Sequence, residues 1–421
     1  METKAGARKI AIVGAGFSGL TLAALLAETE LFDITVFEKK SVGGVINASS
    51  TAGTLFENAA PSLLNHHEFE NFAARFGVRL QPALPAARKR FLFVKKAVRW
   101  PLGILATLNF LYKIFRFVFL KNKSESLSGL TLQQWSELHF GEEFTEKILR
   151  TAMLGIYAGA ISELSAELVL SRFFAKNRQK NRARLKGSVL PEGGLTHFLK
   201  IIKAGLLQKN VRFVAEDPGT LRLIELQQNS IVVFATSYSD FVALVAPSPE
   251  NFIRLENVSA ATWCSLAAKV TSISLAKVHL LLPDCQNKID GFGMLFHPEA
   301  GFQSLGVIAN SRVFPEYGPA YNESWILKCT DPATDPAGAM AKVLTDRERL
   351  FSANERAKAS LVSFNSNIYP LYDKNLLSWL AATRLKPGYF ATGNYWGALG
   401  LTQIFLQNQQ VCESLKNYVK N

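Results

Sequence analysis

The run from residue 10 to 27 carries no charge and is broken only by Gly14, Gly16 and Gly19. Apolar residues before the first glycine predict a short buried strand. Leu20, Leu22, Leu25 and Leu26 after it predict a helix. A second apolar run at 33–37 predicts a strand that ends in Glu38. Further along, the pattern predicts a helix ending near 76–77, a strand opening at 77–80, and two short strands in 86–101 joined by a turn near Lys95 and Lys96. Helices follow at 142–154, 162–175 and 196–208. Thr131 and Gln134 have capping-box spacing. Runs at 211–214 and 231–236 predict strands that return to the first sheet. Residues 250–365 read as a β-rich region, with strand candidates at 269–275, 278–282, 291–296 and 304–308. A helix is expected at 337–359. The chain closes on a strand at 389, a glycine-rich turn and a helix over 402–419.

The glycines make the first unit a candidate dinucleotide site. Gly14 allows the tight turn, Gly16 lets the backbone approach a pyrophosphate, and Gly19 lets helix and strand pack closely. The helix N-terminus offers free N–H groups to phosphate. Glu38, 24 residues after Gly14, is placed to bind a ribose 2′-OH and to repel a 2′-phosphate. An uncharged run behind Lys4, Arg8 and Lys9 could also be a signal peptide or a membrane span, but neither explains spaced glycines and an acid-terminated strand. Gly43 and Gly44 offer a second close backbone approach. The turn Gly393, Asn394 with Leu399, Gly400 and Leu401 again sets backbone N–H groups at a helix start. Two such sites at opposite ends of one chain suit a long dinucleotide such as FAD.

Composition bears on partners. The net charge is +13 with 30 Phe in 421 residues, which admits nucleic acid, a membrane surface or an anionic substrate. No nucleic-acid-binding module accompanies the charge. Residues 100–123 combine Trp100, Phe110, Tyr112, Phe115, Phe117 and Phe119 with Lys113, Arg116, Lys121 and Lys123. That clustering favours a helix lying in the membrane interface over a buried helix pair. A basic run from Lys176 to Lys186 is a solvated loop or a lipid-headgroup contact. Four scattered cysteines and six histidines have no metal-ligand spacing, and no phosphate-binding P-loop or nucleophile elbow is present. Arg90, heading the apolar run 91–94, could bind a carboxylate or be a solvated edge charge.

From Lys9 to the C-terminal helix the chain resembles the protoporphyrinogen oxidases of the FAD-dependent amine-oxidase-like superfamily. The resemblance is carried by GxGxxG with Glu38, by Lys89–Val94, by Gly155-Ile-Tyr-Ala-Gly159, by Phe292-Gly-Met-Leu-Phe296 and by Thr392-Gly-Asn394 with Leu399-Gly-Leu401. It implies an α/β fold (α+β overall) in three parts. A discontinuous Rossmann-like FAD-binding domain would span 1–80, 190–240 and 370–421. A mixed β substrate domain would span 81–98 and 241–369. A helical domain at 99–189 would bind the membrane monotopically, on the cytoplasmic face. It implies that Arg90 pairs with a substrate propionate, that Phe292 and Leu295 sandwich a tetrapyrrole, and that the Gly155 carbonyl faces a pyrrole N–H. The implied activity oxidises a porphyrinogen, protoporphyrinogen IX, to its porphyrin in heme biosynthesis. Six electrons leave in three two-electron steps to oxygen or a quinone, with no catalytic side chain and no metal. No nucleic acid partner is implied, and a homodimer is left open. Two positions depart from the family: Ala59-Ala-Pro-Ser62 stands where Gly-Pro is usual, and Val45 stands where many superfamily members have Arg. An amine- or polyene-oxidising flavoenzyme, and a non-catalytic flavoprotein that carries porphyrin, remain alternatives.

Overall fold

The computed structural model describes residues 6–100, 127–171, 181–329, 335–351 and 360–420. Within these, β1 (Arg8–Val13), α1 (Phe17–Ala27) and β2 (Phe32–Phe37) form the unit expected from the glycine pattern. Five parallel strands make one sheet, in the order Arg212–Val214, β2, β1, Ile231–Phe234, Tyr389–Ala391. Residues from the beginning, middle and end of the chain thus share one sheet. Each central strand is buried on both faces, as the continuous apolar run Ile231–Phe234 requires. α1 is buried nearly all round, between the sheet, the Leu195–Gln208 helix and the C-terminal helix Leu401–Lys420.

A second, seven-stranded sheet contains Arg90–Phe93 and Ala97–Trp100, the pair expected around Lys95 and Lys96. Its other strands are Ser272–Leu281, Gly293–Phe296, Ser304–Ile308, Asn322–Cys329 and Ser360–Pro370. One face buries Ala276, Val278, Leu280, Met294, Phe296, Trp325 and Leu327 under the helix Pro336–Phe351. The opposite face looks toward the parallel sheet. The chain is therefore a mixed α/β fold with a Rossmann-like unit and a separate mixed sheet.

Several expectations need correction. The strands expected at 269–275 and 278–282 are one strand, Ser272–Leu281, preceded by the helix Ala260–Lys269. Of the helix expected over 162–175, the described residues show Ala166–Leu170, starting later than expected and capped by the Ser165 hydroxyl, while 172–175 lie outside the described residues. Gly155 lies inside a helix rather than after it. The segment runs from Glu142–Phe144 through a π turn at Thr145–Leu149 into Arg150–Tyr157. It stops at Ala158, which takes a left-handed conformation. The capping box at Thr131 and Gln134 forms as expected. The interfacial helix expected at 100–123 lies, beyond Trp100, outside the described residues, as do Lys176, Arg178 and Lys180. No helix among the described residues is long and apolar enough to cross a membrane.

Candidate functional site

The three glycines of the first turn do different work. A side chain at Gly14 would lie 2.6 Å from the Ala235 carbonyl oxygen, and Gly14 also has φ +105°. One at Gly19 would collide with the Gly14 carbonyl. These two glycines are needed by the protein's own packing. Gly16 is not: a Cβ there meets only the Gly43 carbonyl oxygen, at 3.9 Å. The space in front of Gly16, at the N-cap of α1, is open for a ligand. The Gly43 N–H donates to the Ala15 carbonyl at 2.8 Å, and Gly43 pairs with Gly16 as an isolated bridge. Gly44 sits with its own Cβ position 3.3 Å from Gly16 Cα. Glu38, at the end of β2, accepts the Ala15 N–H at 2.9 Å and the Lys40 N–H at 2.8 Å. Its carboxylate is thus held at the rim of the glycine turn. Val45, next to the glycine pair, is 48% exposed.

The distant C-terminal turn is joined directly to this one. Thr392 receives the Ser18 hydroxyl at 3.2 Å and donates to Asn408 on the C-terminal helix. The Asn408 amide donates to the Ser18 carbonyl at 2.8 Å and to the Thr21 hydroxyl at 2.7 Å. Buried polar groups so closely satisfied fix the two helices in one arrangement. Gly393, at φ +126°, donates its N–H to Gln407 at 3.1 Å. Asn394 begins a short 3-10 turn, and its carbonyl accepts the Tyr372 hydroxyl. Leu399 packs against the parallel-sheet core. Gly400 accepts the Ile404 N–H at 2.9 Å, and Leu401 opens the C-terminal helix. One continuous edge therefore carries Gly16, Gly43, Gly44 and Glu38 at one end and is tied to Gly393 at the other. An open approach at Gly16, a carboxylate at the strand end and a helix N-terminus fit a dinucleotide as long as FAD.

The inner face of the mixed sheet follows from its register, because directly paired residues share a face. Across neighbouring strands, Asn365 pairs with Lys277, Lys277 with Ile326, Ile326 with Gly306, Gly306 with Leu295, and Leu295 with Leu92. Two residues along each strand, on the same face, the row reads Ser363, His279, Ser324, Ile308, Gly293 and Arg90. The face is polar at one edge, apolar in the middle and ends on an arginine. The Arg90 guanidinium stands 4.9 Å from the Phe292 ring centroid, within cation–π range. A side chain at Gly155 would run into Leu295, so helix and strand touch there. Arg90 with Phe292, and Gly155 with Leu295, are brought onto one shelf.

Two buried groups on that shelf have no counterpart in the sequence expectations. Lys277 donates its ammonium to the Glu57 carbonyl at 2.7 Å and to the Ala59 carbonyl at 3.0 Å. Burial pushes its pKa down to about 8, against the opposing pull of the Glu57 carboxylate. That carboxylate accepts the Leu195 N–H at 2.6 Å at the start of a helix, and burial raises its pKa despite the N–H donors. His279 bonds Ser324 through Nδ1 at 2.6 Å, while its Nε2 is buried without a partner among the described residues. Burial, and then Lys277, keep His279 neutral. Lysine in the middle of a strand gave no sequence signal. The departing segment Ala59–Ser62 is held from both sides, by Lys277 on Ala59 and by the Tyr317 hydroxyl on the Pro61 carbonyl.

Comparison with known proteins agrees with this frame. A family model for an NAD(P)-binding Rossmann-like domain matches residues 12–76. The mitochondrial protoporphyrinogen oxidase of Nicotiana tabacum is 20% identical over 100% of this chain and 97% of its own length. Among solved structures, the protein from Exiguobacterium sp. 255-15 described as a protoporphyrinogen oxidase superposes with TM-score 0.69 at 16% identity, covering 98% of this chain and 99% of its own. Putrescine oxidase superposes at TM-score 0.61 and 13% identity, covering 97% and 99%. Residues 12–76 match the NAD(P)-binding Rossmann-like domain, and the chain shares its fold with these solved oxidase structures.

Proposed function

We propose that this chain is an FAD-dependent oxidase of a porphyrinogen, with protoporphyrinogen IX as the reading its relatives favour. The observation that carries it is the inner face of the mixed sheet. An apolar stretch of Ile326, Ile308 and Leu295, with Leu295 against Gly155, ends on the Arg90 guanidinium, which lies over Phe292 and has no ion pair among the described residues. A flat apolar ring with a carboxylate at one edge fits such a shelf. Lys277 and Arg90 are four strand spacings apart, roughly 19 Å, enough for a large ring.

Bound FAD would supply the redox chemistry, taking two electrons at a time until six have left the porphyrinogen. The residues here would do the rest. The Gly16 backbone and Glu38 would hold the nucleotide half, and Gly393 and Asn394 would lie toward the flavin half. Leu295 and Phe292 would orient the tetrapyrrole and exclude water, Gly155 would face a pyrrole N–H, and Arg90 would hold a propionate. Protons released as the ring conjugates would pass to solvent, and oxygen or a quinone would take the electrons. The aromatic and basic residues of 100–123 support a monotopic membrane contact through which a quinone or an apolar substrate would arrive.

Lys277 favours a second reading. A buried lysine with a pKa near 8 can accept a proton at neutral to alkaline pH, which suits oxidation of an amine, the substrate class that putrescine oxidase names. Flavin-loaded protein given porphyrinogen should produce porphyrin fluorescence at a rate proportional to flavin content. Absence of that signal, with flavin reduced instead by an amine, would replace the first reading with the second. Arg90→Ala should raise KM about tenfold and change kcat little, because the lost contact is uniform binding rather than chemistry. An unchanged KM would remove Arg90 from the site.

A further inference from the structure

The mouth of the shelf holds more positive charge than one carboxylate needs. Lys89, Arg90 and Arg312 gather round the start of the Gly293–Phe296 strand. The Phe292 N–H donates to the Lys89 carbonyl at 2.8 Å, and the Phe292 carbonyl accepts the Ala309 N–H at 3.0 Å. The Ala309 carbonyl in turn accepts the Arg312 N–H at 2.9 Å. Gly293 pairs with Arg90 on one side and Ile308 on the other, so Arg90 and the strand end leading to Arg312 are about 10 Å apart. Asp290 is the acid in this corner. It is ion-paired with Lys89, which chiefly holds its pKa low, and it feels Arg312 only through space. Neither the Arg90 nor the Arg312 side chain has a hydrogen bond or ion pair among the described residues. Arg312 is half-buried, and its Nε is shielded from solvent with no acceptor among the described residues. A guanidinium donor left unsatisfied in that way costs stability unless a ligand supplies the acceptor.

We propose that Arg312 is a second carboxylate-binding residue, and that the substrate enters with two carboxylates side by side, one on Arg90 and one on Arg312. The proposal rests on the porphyrinogen reading and deepens it. A cationic amine would be repelled from such a mouth, whereas a tetrapyrrole carrying propionates on neighbouring rings matches it. Lys89 is neutralised by Asp290 and is left out of the pair.

The test compares a porphyrin diacid with its uncharged dimethyl ester. Flavin-loaded wild-type protein is titrated with protoporphyrin IX and with the diester, followed by porphyrin fluorescence, and is assayed with the two porphyrinogens. The wild type should bind the diacid at least about tenfold more tightly, with a preference that shrinks as salt rises. R312Q should lose most of that preference, with KM for the diacid up about tenfold, kcat little changed and the diester unaffected. R312K, which keeps charge but not the fork, should fall between them. An R312Q whose diacid preference is intact overturns the proposal and leaves the porphyrinogen reading standing. So does equal weakening of diacid and diester, which marks a packing role. Should R312Q fail to fold, the same criteria apply to R312K. If the wild type neither binds nor oxidises either tetrapyrrole, the porphyrinogen reading falls, and this inference with it.

Discussion

Gly16→Val purifies colourless. The wild type, grown and isolated in the same way, is expected yellow with bound flavin, while the variant loses at least about a hundredfold in cofactor affinity, near 2.7 kcal/mol. The expectation comes from the contrast among the three glycines. A side chain at Gly14 or Gly19 meets backbone of the same turn, so substitution there damages the fold itself. At Gly16 a new Cβ meets, beyond its chain neighbours, only the Gly43 carbonyl oxygen at 3.9 Å, so a side chain there points into the ligand's approach rather than into the protein's own packing. The variant should therefore keep its far-ultraviolet circular dichroism and the Tm of wild-type apoprotein. The ratio of flavin to protein absorbance and a thermal scan check this together. A fully yellow Gly16→Val protein would falsify the assignment of the first turn. A colourless but unfolded one would contradict the claim that the space at Gly16 is free.

That contrast also shows which parts of the molecule were legible in advance. The first unit could be read because its determinants are local: an apolar run, a turn that needs glycine, and an acid at a fixed distance. The C-terminal turn was legible for the same reason. The join between them was not, since Ser18, Thr392 and Asn408 are more than 370 residues apart at the extremes and are ordinary polar residues in the sequence. The mixed sheet was only half legible. Asn322–Cys329 passes unnoticed because its inner face is Asn322, Ser324 and Ile326 and it begins Asn-Glu-Ser, residues with no strand preference. Lys277 split one strand into two for that reason. Its charge is tolerated in the middle of a buried strand only because the Glu57 and Ala59 carbonyls, 220 and 218 residues away, accept its protons. Gly155 suggested a helix end, yet it sits within the helix, because close contact with Leu295 needs a residue without a side chain. Each miss is a tertiary contact overriding a local preference.

The lysine yields the second large effect, and its sign can be worked out. Its pKa falls from the ordinary 10.5 to about 8 on folding, because burial disfavours the ammonium. Between those two values the unfolded chain binds more protons than the folded one, so stability rises with pH across that window. Below pH 8 the lysine is charged in both states, and the folded state bears the whole cost of burying it. Above about 10.5 it is neutral in both, and the cost is gone. The full excursion is about 3 kcal/mol. Lys277→Met removes the excursion but also strips two carbonyls of a donor, a loss that does not depend on pH. Urea unfolding of both proteins between pH 7 and pH 10.5 separates the two effects. Wild-type stability minus that of the variant should climb by about 3 kcal/mol across the range, while buried tyrosines and surface groups, common to both proteins, cancel. Parallel pH profiles would mean that Lys277 titrates normally. The amine reading would then lose the one residue that favours it, whereas the porphyrinogen reading, which asks no proton transfer of Lys277, would be unaffected.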